Sequence, residues 1–215
     1  NRNVGKGLHF LGGFFVSALM PQKLNAFDGI GLSCIAHASD NYLIETFHSP
    51  PGIFSLTLGA WFEQHHQLML KYPQMIQAGV MVGSQPTGKM KLDKQGRPVI
   101  DFKFSKEDLN RFKEGLKKTA HILFEAGAEQ VIPSSFKTMI FNNKNELSRV
   151  DKEIKTNDDL IIGSAHPQGG NRMSDDPKKG VVNSKFEVNG MKNLYVVDTS
   201  VFPKNIWANC QATTM

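Results

Sequence analysis

The most regular pattern of hydrophobic and polar positions runs from residue 105 to residue 127. Apolar residues such as Leu109 and Phe112 recur there at helical spacing, with charged residues between them. Ser105 is a good N-cap residue, and Gly127 is a typical helix stop. The pattern therefore predicts a long amphipathic helix with one buried face.

Other patterns predict the elements around this helix. Helical spacing over residues 53–70 predicts a second helix, and the apolar run 79–84 predicts a buried strand. Alternating residues on either side of a turn at 93–96 predict a β-hairpin over residues 89–104. Residues 128–157 are polar and irregular. A helix, a hairpin and a long amphipathic helix together indicate an α+β fold, an antiparallel sheet flanked by helices.

Composition narrows the classes of function. Hydrophobic residues make up 40% of the chain and charged residues 21%, which is ordinary for a globular protein. The net charge of +5 is scattered, and the densest lysine cluster, at residues 113–118, lies beside acidic residues. We therefore expect no nucleic-acid partner. No stretch has the apolar length of a membrane span, and residues 8–20 lack the features of a signal peptide.

The two cysteines, Cys34 and Cys210, do not make a disulfide framework. We expect free, buried thiols, which favours a reducing compartment such as the cytoplasm but leaves the localisation unassigned. The chain begins at Asn1 instead of Met and stops at Met215, inside a predicted helix start. We therefore expect a piece of a longer protein.

The residue best suited to proton transfer is His166. It precedes Pro167, and Gly169-Gly170 follow, a combination that predicts a tight, exposed turn where the backbone approaches a ligand closely. Histidine is the side chain that ordinarily exchanges protons near neutral pH. The alternative is an inert, hydrogen-bonded histidine at a strand–loop junction.

Two more polar residues lie at the ends of predicted elements. Asp198 follows a short apolar strand predicted at residues 193–197, and polar residues after strand ends bind cofactors in α/β sheets. Asn209 opens a predicted helix, where backbone N–H groups favour an anion or an electron-rich ring. The structural alternatives are a turn-initiating aspartate and a helix N-cap.

Four sequence blocks occur in a fixed order near the C-terminus. They are His166 to Ser174, Gly180 to Asn183, Gly190 to Pro203 and Asn209 to Thr213. Together they resemble the C-terminal signature of the glucose–methanol–choline (GMC) family of FAD-dependent oxidoreductases. The segment Val4 to His9 resembles a second, less specific part of that family's sequence.

The chain departs from the family pattern in four respects. Gly170 stands where threonine is usual, Ser174 where glycine is usual, and Cys210 where proline is usual. The Gly-x-Gly-x-x-Gly dinucleotide fingerprint of the family is missing from this sequence. None of these departures removes a candidate catalytic side chain, although Cys210 is expected to loosen the helix start.

The resemblance implies a division into three segments. Residues 1–20 would belong to the FAD-binding α/β domain, residues 21–160 to the substrate-binding domain, and residues 161–215 to a segment returning to the FAD-binding domain. The cofactor implied is FAD. The partner implied is the N-terminal FAD-binding region of the same protein.

The same resemblance implies oxidation of an alcohol CH–OH group by hydride transfer to the flavin. His166 would accept or hydrogen-bond the hydroxyl proton, and Asn209 would hold the substrate oxygen. Asp198, Thr199 and Gln211 would lie along the ribityl chain and ring edge of the flavin. Two alternatives stay open: a non-redox FAD lyase, and a non-catalytic fragment that acts as a binding module.

The substrate and the electron acceptor are less defined. Several aromatic residues either line a pocket for a bulky or long-chain alcohol or belong to the core: Phe14, Phe15, Phe54, Trp61 and Phe62. No metal is expected, because the adjacent His65 and His66 point apart on a helix and have no acidic or cysteine partner at ligand spacing. The electron acceptor stays unidentified.

Overall fold

The computed structural model describes residues 2–39 and 42–215, so that Asn1, Asp40 and Asn41 lie outside the described residues. The strands are β1 (Lys6–Leu19), β2 (Ile35–Ser39), β3 (Tyr42–Phe47), β4 (Met75–Gly83), β5 (Gly88–Leu92), β6 (Pro98–Asp101), β7 (Gln130–Pro133) and β8 (Pro167–Gly170). The helices are α1 (Pro51–Thr57), α2 (Phe62–Met69), α3 (Lys106–Glu125), α4 (Arg149–Glu153) and α5 (Gln211–Thr214). Among these residues no helix has the length and apolar character to cross a bilayer.

The described residues form two compact units. The first unit contains residues 1–12, 83–105 and 164–215, and the second contains residues 13–82 and 106–163. The first unit therefore includes the hairpin region, residues 83–105. The division predicted from the family resemblance assigns these residues to the substrate-binding domain, residues 21–160. The boundaries of that division, and the assignment of its outer segments to an FAD-binding domain, stay predictions.

The second unit is an antiparallel sheet covered by α3, which confirms the α+β prediction. Strands β2, β3, β4 and β1 are neighbours in that order, and β7 also pairs with β1. Phe14 of β1 meets Phe112 of α3 edge to face, with ring centroids 5.8 Å apart. Gly115 allows this close approach, because a Cβ there would lie 2.3 Å from a methyl carbon of Val80.

The long amphipathic helix is confirmed as α3. Its apolar face is buried because it packs on the sheet, at positions 109, 112, 116, 120 and 123. The buried strand predicted at residues 79–84 is also confirmed, as the second half of β4.

The single helix predicted over residues 53–70 is wrong, because the structure has two helices, α1 and α2, there. The break falls at Gly59, where a Cβ would lie 1.9 Å from the carbonyl oxygen of Pro133. Phe62 begins the second helix with a positive φ of 53°. Strand β7 was not expected, since it lies in the polar stretch 128–157.

In the first unit, the beginning of β1 pairs antiparallel with both β5 and β8. The predicted hairpin is confirmed as β5 and β6, although β6 ends at Asp101. Its turn is closed by the Asp93 carboxylate, which accepts hydrogen bonds from the backbone N–H groups of Gln95 and Arg97.

The short strand predicted at residues 193–197 is wrong. Only Tyr195 forms a bridge, with Glu187. Val196 packs against a small cluster of buried valines, whereas Leu194 and Val197 are exposed. The apolar residues that suggested a buried strand therefore lie in an irregular segment, where one of them is partly buried and the others are exposed.

Candidate active site

His166 lies immediately before β8, which pairs with β1 in the first unit. Its backbone N–H donates to the hydroxyl of Ser164 at 3.1 Å, and its carbonyl accepts from the N–H of Leu11 at 3.5 Å. Only 7% of the residue is exposed. The backbone on both sides of this histidine is thus held by β1 and by Ser164.

The segment after His166 differs from the exposed turn that was expected. Residues 167–170 form strand β8, and Gln168, Gly169 and Gly170 are buried. Both glycines have positive φ, 77° and 106°. At Gly169 a Cβ would lie 2.1 Å from the Gly7 carbonyl oxygen, whereas at Gly170 nothing lies within 4 Å. Glycine is therefore required at Gly169 for a close approach of two backbones as well as for its φ.

The side chain of His166 contacts Cys210. The Cys210 sulfur lies 3.6 Å from Nδ1 of His166, and Cys210 is also buried. Helix α5 begins at Gln211 with Cys210 as its N-cap residue, so Asn209 precedes the cap and is not the N-cap itself. The contact brings Asn209 and Gln211, the chain neighbours of Cys210, to the region of His166.

The loop before Asn209 is anchored by the buried side chain of Asn205. Its Nδ2 group donates to the Phe10 carbonyl at 2.9 Å, and its Oδ1 atom accepts from the N–H of Trp207 at 2.9 Å. The Gln168 side chain adds a third contact, since its Oε1 atom accepts from the N–H of Ile206 at 3.2 Å. These bonds fix the approach of the chain to Asn209.

The Asp198-Thr199 pair lies beside the His166-Pro167 pair. The Thr199 hydroxyl donates to the Pro167 carbonyl at 2.9 Å. The Asp198 carboxylate accepts from the N–H of Ser200 at 2.7 Å, as a turn-initiating aspartate does. The N–H of Asn171 donates to the Ser200 carbonyl at 2.9 Å, which ties the two segments together once more.

All five candidate site residues therefore belong to one unit, in which Thr199 contacts Pro167 and Cys210 contacts His166. Asp198 and Gln211 are exposed, Asn209 and Thr199 are partly buried, and His166 is buried. The unit thus combines a buried histidine with partly buried and exposed polar side chains, a set of groups suited to binding a ligand.

Behind the site lies a second buried histidine, His9, which is fully buried and faces β8. Its Nδ1 atom lies 2.8 Å from the Gly7 carbonyl oxygen and acts as the donor. Burial lowers the pKa of His9, and the carbonyls of Gly7 and Lys204 and the Gln168 side chain offset this only in part. His9 is therefore neutral near neutral pH and packs against β8, the strand that directly follows His166.

Two residues of this arrangement were not assigned a role from the sequence. Cys210 was noted only as a departure from the family pattern, although its place next to Asn209 was a signal that it lies at the site. The role of Gln168 could not be predicted from the sequence, because it depends on the pairing of β8 with β1 and on a hydrogen bond from Ile206.

The aromatic residues considered for a substrate pocket do not form one group. Phe14 and Phe54 are core residues, whereas Trp61 and Phe62 are exposed. The second unit does contain a cavity of about 410 Å³ with a mainly apolar lining, which includes Ile44, Ile76 and Leu123. None of the five aromatic residues lines that cavity.

The structure also shows the exposure of the two cysteines and the surroundings of His65 and His66. Cys34 is exposed, which corrects the expectation of two buried thiols, and Cys210 is buried. His65 lies 2.9 Å from the Ser55 carbonyl oxygen, and His66 is exposed. The described part of the chain brings together no group of three metal-ligating side chains that would hold an ion.

Known proteins include relatives whose similarity covers most or all of this chain. A long-chain-alcohol oxidase of Arabidopsis thaliana is 26% identical over 242 residues, covering 100% of this chain and 32% of the relative. An uncharacterized GMC-type oxidoreductase of Mycobacterium tuberculosis is 24% identical, covering 83% of this chain and 28% of the relative. The chain thus spans about a third of the length of the relatives it matches.

Among solved structures, formate oxidase from Aspergillus oryzae, which has been studied for the modification of its FAD, aligns over 99% of this chain and 45% of its own. The TM-score is 0.66 at 16% sequence identity, a likeness that establishes the fold. A family model described as GMC oxidoreductase matches residues 84–215, which is more than half of the chain. The chain therefore belongs to the GMC oxidoreductase family, whose cofactor is FAD, as its C-terminal blocks predict.

Proposed function

We propose that the complete protein containing this chain oxidises an alcohol CH–OH group with FAD, and that His166 takes the hydroxyl proton. The observation that carries the proposal is the placement of His166. It is a buried histidine, fixed through its backbone by Ser164 and Leu11, with Cys210 against its ring and Thr199 bonded to the next residue, Pro167. Oxidoreductase activity is common to the family to which the chain belongs.

The polar groups around His166 fit FAD by their hydrogen-bonding chemistry. The exposed Gln211 amide offers both a donor and an acceptor, which matches the alternating C=O and N–H groups of a flavin ring edge. The Asp198 carboxylate and the Thr199 oxygen are acceptors suited to ribityl hydroxyl groups, even though Thr199 already donates to Pro167. Asp198, Thr199 and Gln211 would therefore hold the cofactor.

Bound FAD would supply the hydride acceptor. The hydroxyl proton of the alcohol must leave as the hydride does, because otherwise the carbonyl cannot form. Nδ1 of His166 faces Cys210, so Nε2 is the atom left to receive this proton. A positioned base of this kind contributes on the order of 10²- to 10⁴-fold to the rate.

Asn209 would hold the substrate oxygen. It lies one residue before Cys210, whose side chain contacts His166, and the loop that leads to it is anchored by Asn205. An amide N–H group stabilises an alcohol oxygen as it gains negative charge during loss of its proton. The role fits a fixed asparagine beside a proton acceptor.

Long-chain primary alcohols are the first substrate class to test. Several relatives in Arabidopsis thaliana are named long-chain-alcohol oxidases, at 25% to 29% identity.

The test is the visible spectrum of the complete protein before and after anaerobic addition of primary alcohols of increasing chain length. Bleaching of a flavin spectrum by one of them supports alcohol oxidation. A flavin that no alcohol bleaches would favour the lyase alternative. A protein that carries no flavin would favour the binding-module alternative.

A further inference from the structure

The His166 imidazole and the Cys210 thiol form a buried contact that the proposed reaction does not yet use. The sulfur lies 3.6 Å from Nδ1, and the two residues are 7% and 6% exposed. A neutral imidazole carries one proton, on Nδ1 or on Nε2, so the partner of one nitrogen decides what the other nitrogen does. The contact therefore bears directly on the chemistry of His166.

We infer that Cys210 is a positioning residue whose sulfur accepts a hydrogen bond from the Nδ1–H group of His166. This bond keeps the ring proton on Nδ1 and leaves Nε2 unprotonated, ready to take the alcohol proton. The inference rests on the proposed function, because it gives a reason why Nε2 acts as the acceptor there.

The direction of this hydrogen bond follows from what His166 has to do. If the thiol donated to Nδ1 instead, the ring proton would lie on Nε2, and that atom would have no lone pair to receive another. A sulfur is a weak but polarisable acceptor. Its bond to Nδ1–H becomes charge-assisted once Nε2 is protonated, so it strengthens as the reaction proceeds. Cys210 is therefore expected to act on kcat more than on KM.

The placement of Cys210 leaves its sulfur available for this role. The residue is the N-cap of α5, yet its side chain makes no capping hydrogen bond. Its carbonyl accepts from both the N–H and the hydroxyl of Thr214, at 3.1 and 2.7 Å. The backbone of Cys210 is thus fixed through α5, and that of His166 through β1 and Ser164, which sets the distance between the two side chains.

Position 210 is one of the places where this chain departs from the family pattern that it resembles. The family pattern has proline at this position, and a proline side chain neither donates nor accepts hydrogen bonds. A histidine beside a proline would need another partner for Nδ1.

The kinetic test uses the complete, FAD-loaded protein and the alcohol that bleaches its flavin best. Cys210→Ala should lower kcat about tenfold, the usual scale for one lost hydrogen bond to a charged group, with little change in KM. Cys210→Ser keeps an acceptor oxygen and should recover most of that loss. Cys34→Ala, which removes the exposed cysteine of the second unit, is the matched control and should leave kcat unchanged.

A second readout needs no turnover. Solid-state nitrogen NMR on protein labelled at its histidine nitrogens reports which ring nitrogen carries the proton, and His166→Gln identifies the His166 signals. The wild-type protein should show His166 protonated on Nδ1, and Cys210→Ala should lose that preference. If no alcohol reduces the flavin, the proposed function fails, while this result still supports or overturns the hydrogen bond.

Three results would overturn the inference. The first is a wild-type His166 protonated on Nε2. The second is Cys210→Ala with unchanged kcat and an unchanged tautomer. The third is Cys210→Ser as slow as Cys210→Ala, which would make Cys210 a packing residue. If the alanine variant does not fold, the wild-type tautomer and the serine variant decide the question.

Discussion

The hydroxyl of Thr199 donates a hydrogen bond of 2.9 Å to the carbonyl oxygen of Pro167. This bond ties the segment that carries Asp198 to the residue directly after His166. A second anchor is the buried contact between Cys210 and the His166 ring, which places Asn209 nearby. Candidate cofactor-binding and proton-transferring residues are thus connected through short, specific contacts.

Substitution of Asn209 should slow the reaction without removing the cofactor. We expect Asn209→Ala to lower kcat about tenfold, since one hydrogen bond to a developing charge is lost, with the FAD content unchanged. Asn209→Asp keeps the shape but loses the amide donor, so it should be no faster than the alanine variant. Steady-state kinetics with flavin quantification measures both, and wild-type rates in Asn209→Ala would remove Asn209 from the mechanism.

The two glycines of β8 should differ in their tolerance of a side chain. Gly169→Ala places a Cβ against the Gly7 carbonyl, so it should lower the free energy of unfolding by about 2 kcal/mol or more. Gly170→Ala meets only the cost of a positive φ, about 1 kcal/mol. Denaturant unfolding of the two variants makes the comparison, and equal costs would contradict the close packing of β8 on β1.

Asn205 should be a structural support of the loop before Asn209. Asn205→Ala removes two hydrogen bonds, one to the Trp207 N–H and one to the Phe10 carbonyl, which keeps its bond from the N–H of Ser84, at a cost of about 1 to 2 kcal/mol. Asn145→Ala, at an exposed position of the second unit, is the control and should change stability by less than about 0.5 kcal/mol. A loss in kcat/KM confined to Asn205→Ala is expected as well; if the two variants behave alike, the loop is not held by this side chain.

Stability should fall as the solution becomes acidic, in part through His9. Burial lowers the pKa of His9 below its ordinary value of 6.5, so below pH 6.5 the unfolded chain binds a proton that the folded chain does not. The free energy of unfolding then decreases with falling pH, by at most about 1.4 kcal/mol per pH unit for one group. The slope is greatest between the folded-state pKa of His9 and 6.5, and it disappears at pH values well below the folded-state pKa.

Unfolding measured at several pH values in wild type and His9→Gln checks this contribution. The variant should show a shallower decline. His48, whose pKa is also lowered by burial, should account for part of the remaining slope. An identical slope in His9→Gln and wild type would show that His9 is not held neutral by burial.

The parts of the fold that the sequence predicts correctly are those decided by nearby residues. Helix α3 carries its whole apolar face within Lys106–Glu125, and the β5–β6 hairpin is closed by Asp93 within its own turn. The break between α1 and α2 depends instead on Gly59 lying against the Pro133 carbonyl, a contact between distant parts of the chain. Such contacts leave no periodic signal in the sequence.

In the candidate site, too, some residues could be predicted from the sequence and others could not. His166, Asp198, Thr199, Asn209 and Gln211 were identified from ordered motifs, and the fold places them in one unit. The contact between His166 and Cys210 joins residues that are 44 positions apart, so the role of the thiol emerges only from the packing. The supports beneath the site, Asn205 and Gln168, likewise depend on pairing with β1 and on the loop at Ile206.

The proposed reaction depends above all on transfer of the alcohol proton to His166. Its most direct test is the rate constant of flavin reduction, measured by anaerobic rapid mixing of an alcohol with the complete wild-type protein and with His166→Gln. We predict that His166→Gln retains its FAD and reduces it on the order of 10²- to 10⁴-fold more slowly. Flavin reduction at the wild-type rate in His166→Gln, with FAD bound, would contradict the assignment.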